Sequence, residues 1–157
     1  MLRYLPLTLL LLATAPAFGE PLRIAVAANF RTTLEQINRE FSATSGQRIL
    51  LSSASTGVLA TQVRHGAPFH LLLAADVAAP AGLSQQALAP PFCYAVGRLA
   101  LAGGAVDDLA DPSHSVAIAN PRTAPYGRAA LEVLAQPAFA AGGQRKLVRG
   151  NNVVQAY

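Results

Sequence analysis

Residues 118–134 have the sequence IANPRTAPYGRAALEVL, which predicts a strand, a loop and a helix in succession. Asn120 and Pro121 end an apolar run. Pro125 suits the first turn of a helix, because a backbone N–H at that position would have no acceptor within the helix. The free N–H groups expected at the positive end of this helix belong to Tyr126, Gly127 and Arg128. Taken alone, the stretch predicts either a well-made helix start or a site for an anion.

The same order of strand, loop and helix recurs along the chain, and each unit shows it by its pattern of apolar residues. Strands are expected at residues 22–27, 49–51, 71–74, 94–101, 116–119 and 147–148. Residues 71–74 are apolar throughout, which is typical of a strand buried on both faces of a parallel sheet. We expect Gly46 to end the first helix, residues 52–57 to form a hydroxyl-rich turn, and Asp76 to cap a short helix. Repeated units of this kind predict an α/β fold with parallel strands and with its sites at their carboxyl ends.

The N-terminal residues 1–19 have the features of a secretory signal peptide, because a basic residue precedes a short apolar run and small residues follow it. That run is shorter than the roughly 20 apolar residues that a membrane span needs. Ala17 and Gly19 occupy the small positions before a cleavage site, so we expect an exported protein that begins at Glu20. N-terminal sequencing of the exported protein tests this prediction, and an exported chain that still begins at Met1 would contradict it.

The composition is that of a globular, core-forming chain, since 52% of the 157 residues are hydrophobic and 13% are charged. The formal net charge is +4, but the basic residues are scattered and no basic stripe with interleaved aromatics occurs, so we expect no nucleic-acid partner. Cys93 is the single cysteine, which excludes an internal disulfide, and we interpret it as a packed thiol. The three histidines stand in no metal-ligand spacing, so we assign no residue to a metal ion.

Four loops are expected to lie at strand ends before helices, and what they share is neutral hydrogen-bond donors. The loops are residues 27–29, 55–57, 124–127 and 151–153. A buried dianion needs several hydrogen bonds in place of its water, and converging helix starts can supply them. Residues 55–57 match neither a nucleophile elbow nor a phosphate loop with its lysine. We therefore assign no catalytic residue and expect no cofactor.

Five motifs resemble, in the same order, those of the periplasmic molybdate-binding proteins that serve ABC transporters. The motifs are AVAANF, SASTG followed by LATQVRHGAPF, LLLAAD, IANPRTAPYGRAAL and GNNVVQAY, and the resemblance covers residues 22–157. It implies a fold like that of type II periplasmic binding proteins, in which two α/β lobes with parallel sheets surround a central cleft that holds a tetrahedral oxyanion. It also implies molybdate or tungstate as the ligand, a membrane permease of an ABC transporter as the partner, and the periplasm as the location. We expect the protein to be a monomer.

The family's ligand-binding positions fall, motif by motif, on five residues of this chain. They are Asn29, Ser55, Thr56, Tyr126 and Val153. Asn29 stands where the family often has a serine, and its amide can donate in place of a hydroxyl. The resemblance places the hydroxyl ligand of the second loop on Thr56, with Ser55 beside it, and implies that Tyr126 and Val153 donate their backbone N–H groups. A further ligand tyrosine of the family falls beyond position 157.

The expected division of the chain is a signal peptide (1–19), a first α/β lobe (20–93) and a second α/β lobe (94–157). The helix that starts at Val153 is only one turn long at Tyr157, so we expect the second lobe to be truncated and the C-terminal part of the fold to be missing. Two alternatives to a molybdate-binding protein stay open. One is a receptor for sulfate or another solute, because the oxygen geometry is shared, and the other is an exported enzyme.

Overall fold

The structure is a computed structural model that describes residues 19–157. The predicted signal peptide, except for Gly19, lies outside the described residues. Among the residues that are described, none of the helices is both long enough and apolar enough to cross a membrane.

Strands and helices alternate along the described chain, as the sequence predicts. The strands are β1 (Leu22–Ala27), β2 (Ile49–Ala54), β3 (Leu71–Leu73), β4 (Val116–Ala119) and β5 (Leu147–Gly150). The α-helices are α1 (Arg31–Ser45), α2 (Thr56–Arg64), α3 (Ala78–Ala81), α4 (Pro125–Leu134) and α5 (Val153–Ala156). Short 3-10 helices occupy Ala28–Phe30, Ser84–Gln86, Val106–Ala110 and Pro137–Gln144.

Two parallel sheets form the centres of two lobes. The first lobe contains a sheet of order β2-β1-β3 with helices α1 to α3, and the second contains β4 and β5 with helices α4 and α5. α1 and α2 connect the strands of the first sheet and α4 those of the second, which makes every described pairing parallel. The loops that follow the strands therefore lie at the carboxyl edges of the sheets. The lobe boundary between residues 93 and 94 stays a prediction.

The core of the first lobe forms where α1 covers the central strand β1. Its buried residues are Ile24, Val26, Leu34 and Leu73. β1 lies between two strands and under helices, so its residues from Ile24 to Ala27 are at most 3% exposed. Gly46 ends α1 in the left-handed conformation with φ +69°, and its N–H donates to Ser42 O at 3.0 Å. The predicted glycine cap is therefore confirmed.

Two expectations for the first sheet are wrong. β2 continues through Ser52 and Ser53 to Ala54, which we expected to lie in the turn, because β2 pairs with β1 up to the pair of Ala27 and Ala54. The hydroxyl side chains are tolerated because no residue of β2 is fully buried, which leaves their polar atoms within reach of water. β3 is the other edge of the sheet, and Leu71 is 40% exposed, so this apolar run is not buried on both faces.

The strand predicted at residues 94–101 is also wrong, because these residues form no ladder with any described strand. An apolar pattern forms a strand only where a neighbouring strand can pair with it. Tyr94 instead anchors the segment on the first lobe: its ring packs edge-on against Phe30 at a centroid distance of 5.1 Å, and its Oη donates to Ala74 O at 2.9 Å. Burial raises the pKa of Tyr94, which keeps this hydroxyl protonated as a donor. Cys93, which we expected to be packed, is exposed.

Candidate functional site

A cleft lies between the lobes, where the loops from the carboxyl ends of both sheets meet. It is lined by Ala27, Ala28, Asn29, Ser55, Thr56, Ala124, Tyr126, Asn152 and Val153. These residues stand at or just after the ends of β1, β2, β4 and β5, so the four loops with neutral donors converge here. The structure thus brings together all five residues that the family resemblance indicates.

A second groove lies on the outer side of the first lobe, between α1 and β2. It is lined by Glu35, Asn38, Arg39, Ser42, Ile49 and Leu51. None of the residues predicted to bind a ligand lines this groove, so the candidate site is the cleft between the lobes.

Ser55 and Thr56 differ in what their hydroxyls do. Thr56 is 1% exposed, and its Oγ1 accepts a hydrogen bond from Ala75 N–H at 3.0 Å, which ties the second loop to the end of β3. Ser55 is 5% exposed, and its buried Oγ has no partner among the described residues. Among the buried side-chain atoms without a partner in the described residues, Ser55 Oγ belongs to a residue that lines the cleft, so its hydroxyl is free to bond a group bound there. The sequence motif did not separate the two roles, because only the fold shows which hydroxyl is already engaged.

The start of α4 differs from the prediction in its free donors. Ala124 is extended and Pro125 occupies the first turn, as expected. The N–H groups of Gly127 and Arg128 donate to Ala124 O at 3.0 and 3.3 Å, so the expectation that both are free is wrong. A tight first turn satisfies these two groups internally. Tyr126 N–H is left as the donor for which the described residues provide no partner.

Asn29 and Val153 reach the cleft from opposite lobes. Asn29 lies in the 3-10 helix that follows β1, where it is exposed and lines the cleft. Val153 begins α5, whose start is held by Asn152, because the Asn152 side chain accepts a hydrogen bond from Gln155 N–H at 3.2 Å. An amide side chain from one lobe and a helix start from the other thus complete the set of neutral groups.

Two contacts join the lobes beside the cleft, and the sequence predicted neither. Gly57 N–H donates to Thr123 O at 2.9 Å, and Arg128 Nη2 lies 2.5 Å from Asp76 Oδ2. The other carboxylate oxygen of Asp76 accepts from Ala79 N–H at 2.9 Å, so Asp76 binds the first turn of α3 as predicted, although Val77 and not Asp76 is the N-cap residue. Asp76 and Arg128 stand 52 residues apart, which no local pattern connects. The one available signal was that both residues lie in the family motifs, Asp76 at the end of LLLAAD and Arg128 in IANPRTAPYGRAAL.

The electrostatics of the cleft come from dipoles. Every residue that lines it is formally neutral, and the guanidinium of Arg128, near the start of α4, is paired with Asp76. Across the described residues, no group of three or more histidine, cysteine or acidic side chains is placed to hold a metal ion. Hydroxyl, amide and N–H donors without a net positive charge suit an anion that hydrogen-bonds on every side.

Comparison with known proteins agrees with this architecture. The molybdate-binding protein ModA of Azotobacter vinelandii is 37% identical over 94% of this chain and 62% of its own length, and ModA of Rhodobacter capsulatus is 37% identical over 93% and 62%. The solved structure of the Azotobacter vinelandii periplasmic molybdate-binding protein superposes with a TM-score of 0.74 at 33% identity, covering 87% of this chain and 64% of that one. The predicted α/β fold of a periplasmic binding protein is therefore confirmed.

The chain spans just under two thirds of the length of these relatives. A family model described as bacterial extracellular solute-binding protein matches residues 22–157, which is nearly all of the described chain. This protein therefore belongs to the bacterial extracellular solute-binding proteins.

Proposed function

We propose that this protein captures molybdate, or tungstate, in the cleft between its lobes and delivers it in the periplasm to the membrane permease of an ABC transporter. The observation that carries the proposal is the convergence of neutral donors from four loops on one cleft, with the buried Ser55 Oγ lacking a partner among the described residues. The relatives named molybdate-binding protein support the choice of ligand, and the solved structure of the periplasmic protein of Azotobacter vinelandii supports the location.

The ligand-binding residues in this proposal are the five that line the cleft and match the family motifs. They are Asn29, Ser55, Thr56, Tyr126 and Val153. Ser55 and Thr56 donate their hydroxyl protons, Asn29 donates from its amide, and Tyr126 and Val153 donate from the backbone. A hydrogen bond to a charged group contributes about 1.5–3 kcal/mol, so a few such bonds offset the desolvation of a dianion. Binding and release of a solute need no catalytic group, and the proposal assigns none.

We expect this site to select fully deprotonated oxyanions over hydrogen phosphate. No carboxylate of the described residues lines the cleft to accept the proton of hydrogen phosphate, backbone N–H groups cannot accept it, and a hydroxyl that accepts it cannot donate to the same oxygen. Leaving two donors face to face costs about 1–3 kcal/mol, which corresponds to roughly 5- to 150-fold weaker binding of phosphate near neutral pH. Calorimetric titration of the mature protein with molybdate, tungstate, sulfate and phosphate measures these affinities directly.

The same titration tests the proposal against its alternative, a receptor for sulfate. Sulfate and molybdate are both tetrahedral dianions, so the donors alone do not distinguish them, and the difference lies in ligand size. Tight binding of molybdate or tungstate with weak binding of sulfate is the expected result. Sulfate binding at least as tightly as molybdate would favour the alternative, and phosphate competing equally with molybdate would contradict the assigned donor set.

A further inference from the structure

The side chain of Tyr126 leaves the start of α4 and packs over Gly97, which lies in the segment that pairs with no described strand. A Cβ on Gly97 would overlap Tyr126 Oη and lie 3.3 Å from Tyr126 Cζ, so the end of the ring fills the space where a side chain would begin. The glycines of the described chain that have a positive φ are Gly46, Gly66 and Gly103. The glycine at position 97 is therefore needed for the close approach of the ring and not for its backbone conformation.

Both sides of this contact are held by other parts of the molecule. Tyr94, three residues earlier in the segment, packs its ring against Phe30 at a centroid distance of 5.1 Å. Its Oη also donates to Ala74 O at 2.9 Å, so the segment is anchored on the first lobe. On the other side, Gly127 lies so close to the end of β4 that a Cβ on it would be 2.8 Å from a backbone carbon of that strand. The ring of Tyr126 is thus confined between two anchored elements.

We propose that Gly97 is a positioning residue for the ligand site, because the space above it determines where Tyr126 holds its backbone N–H. The inference rests on the proposed function, in which this N–H donates to the oxyanion. The ring and the N–H belong to one residue, the second of α4, so a displaced ring turns the adjoining peptide group with it. Since the elements on both sides are anchored, the displacement falls on Tyr126 itself. A hydrogen bond weakens steeply when its donor is misaligned, so the affinity for the anion falls.

Gly97→Ala tests the proposal because it adds one methyl group at the contact. We expect it to raise the Kd for molybdate by about 3- to 10-fold, which is less than the roughly 10- to 150-fold expected when such a hydrogen bond is lost outright. Thermal unfolding without ligand should change little, because Gly97 is exposed in a segment without strand pairing. Gly143→Ala is the matched control, since a Cβ there meets no atom within 4 Å, and its Kd should equal that of the parent.

The same substitution in a Tyr126→Phe background isolates the contact with the ring. Phenylalanine lacks the Oη that the new methyl group overlaps, and the remaining contact with Cζ at 3.3 Å is relieved by a shift of a few tenths of an ångström. Measured against Tyr126→Phe alone, Gly97→Ala should therefore change the Kd by less than about 2-fold, so the two substitutions should be non-additive. A general effect of alanine on the segment would be the same in both backgrounds.

The amide NMR signal of Tyr126 gives a readout that needs no ligand. Gly97→Ala should shift this signal in the unliganded protein and leave the amide signal of Val153, at the start of α5, in place. An unmoved Tyr126 signal would overturn the positioning role, and so would a Kd raised equally in both backgrounds. A shifted Tyr126 signal in a protein that binds no molybdate, the parent included, would support the positioning of this N–H by Gly97 and refute the proposed ligand.

Discussion

Gly127→Ala is expected to lower the free energy of unfolding by about 2–3 kcal/mol, although glycine to alanine in a helix is ordinarily stabilising by up to about 1 kcal/mol. The reason is a close approach of α4 to the end of β4. A Cβ on Gly127 would lie 2.8 Å from Ala119 C and 2.8 Å from Pro121 N, both of them backbone atoms that no rotamer change can move. Denaturant unfolding of the parent and the variant measures the loss.

Gly143→Ala is the matched control for this prediction. Gly143 also lies in a helical segment, the 3-10 helix Pro137–Gln144, but a Cβ there meets no atom within 4 Å. We expect its stability to change by no more than about 0.5 kcal/mol. If Gly127→Ala proved as stable as Gly143→Ala, the contact between α4 and β4 would be looser than described, and the position of Tyr126 N–H at the cleft would need revision.

Ser55→Ala is expected to weaken molybdate binding by about 1.5–3 kcal/mol, or roughly 10- to 150-fold, with little change in the stability of the unliganded protein. The buried Ser55 Oγ has no partner among the described residues, so removing it breaks no described hydrogen bond of the fold. Its expected partner is an oxyanion oxygen, and a hydrogen bond to a charged acceptor is stronger than one to a neutral acceptor. Calorimetric titration gives the affinity, and thermal unfolding without ligand gives the stability.

Thr56→Val tests whether the neighbouring hydroxyl contributes to binding independently of Ser55. Valine leaves Ala75 N–H without its acceptor, so we expect a loss of stability of about 1–3 kcal/mol in addition to weaker binding, whereas Thr56→Ser should be nearly neutral. Normal binding by Ser55→Ala would show that its hydroxyl is not a ligand. Weaker binding by Thr56→Val alone would then leave Thr56 as the only hydroxyl ligand of this loop, where the family motif places it.

The fold was largely predictable from local pattern because each unit of strand, loop and helix carries its own signals. The bounds of β1 and β4 match the prediction, and so does the start of α4 at Pro125. The failures concern which strand lies beside which: the serines of β2 pair because β1 extends alongside them, and Leu71 is exposed because β3 is an edge. Such neighbours are a property of the sheet, and a single strand does not encode them.

The candidate site was also predictable only in part. The loops that form the cleft follow from the motif order, since parallel strands place their carboxyl ends on one edge. The hydrogen bonds of the individual groups did not follow, because Thr56 Oγ1 accepts from Ala75 N–H and Gly127 N–H donates to Ala124 O. The pairing of Asp76 with Arg128 was equally hidden, since its partners lie on different lobes. Sequence motifs thus located the site, and tertiary contacts decided which atoms are free.

The central position of β1 also bears on how the chain folds. β1 is the first of the described strands, yet both of its partners come later in the chain. β2 follows only after α1, and β3 follows only after α2. Every described strand pairing is parallel, so no hairpin can nucleate either sheet locally. Contacts between distant residues slow folding, because the entropy of loop closure is lost before the contacts form. Helix formation in α1 is therefore expected to precede the pairing of β1. The rate at which the first lobe refolds should be limited by the pairing of β2 and β3 with β1.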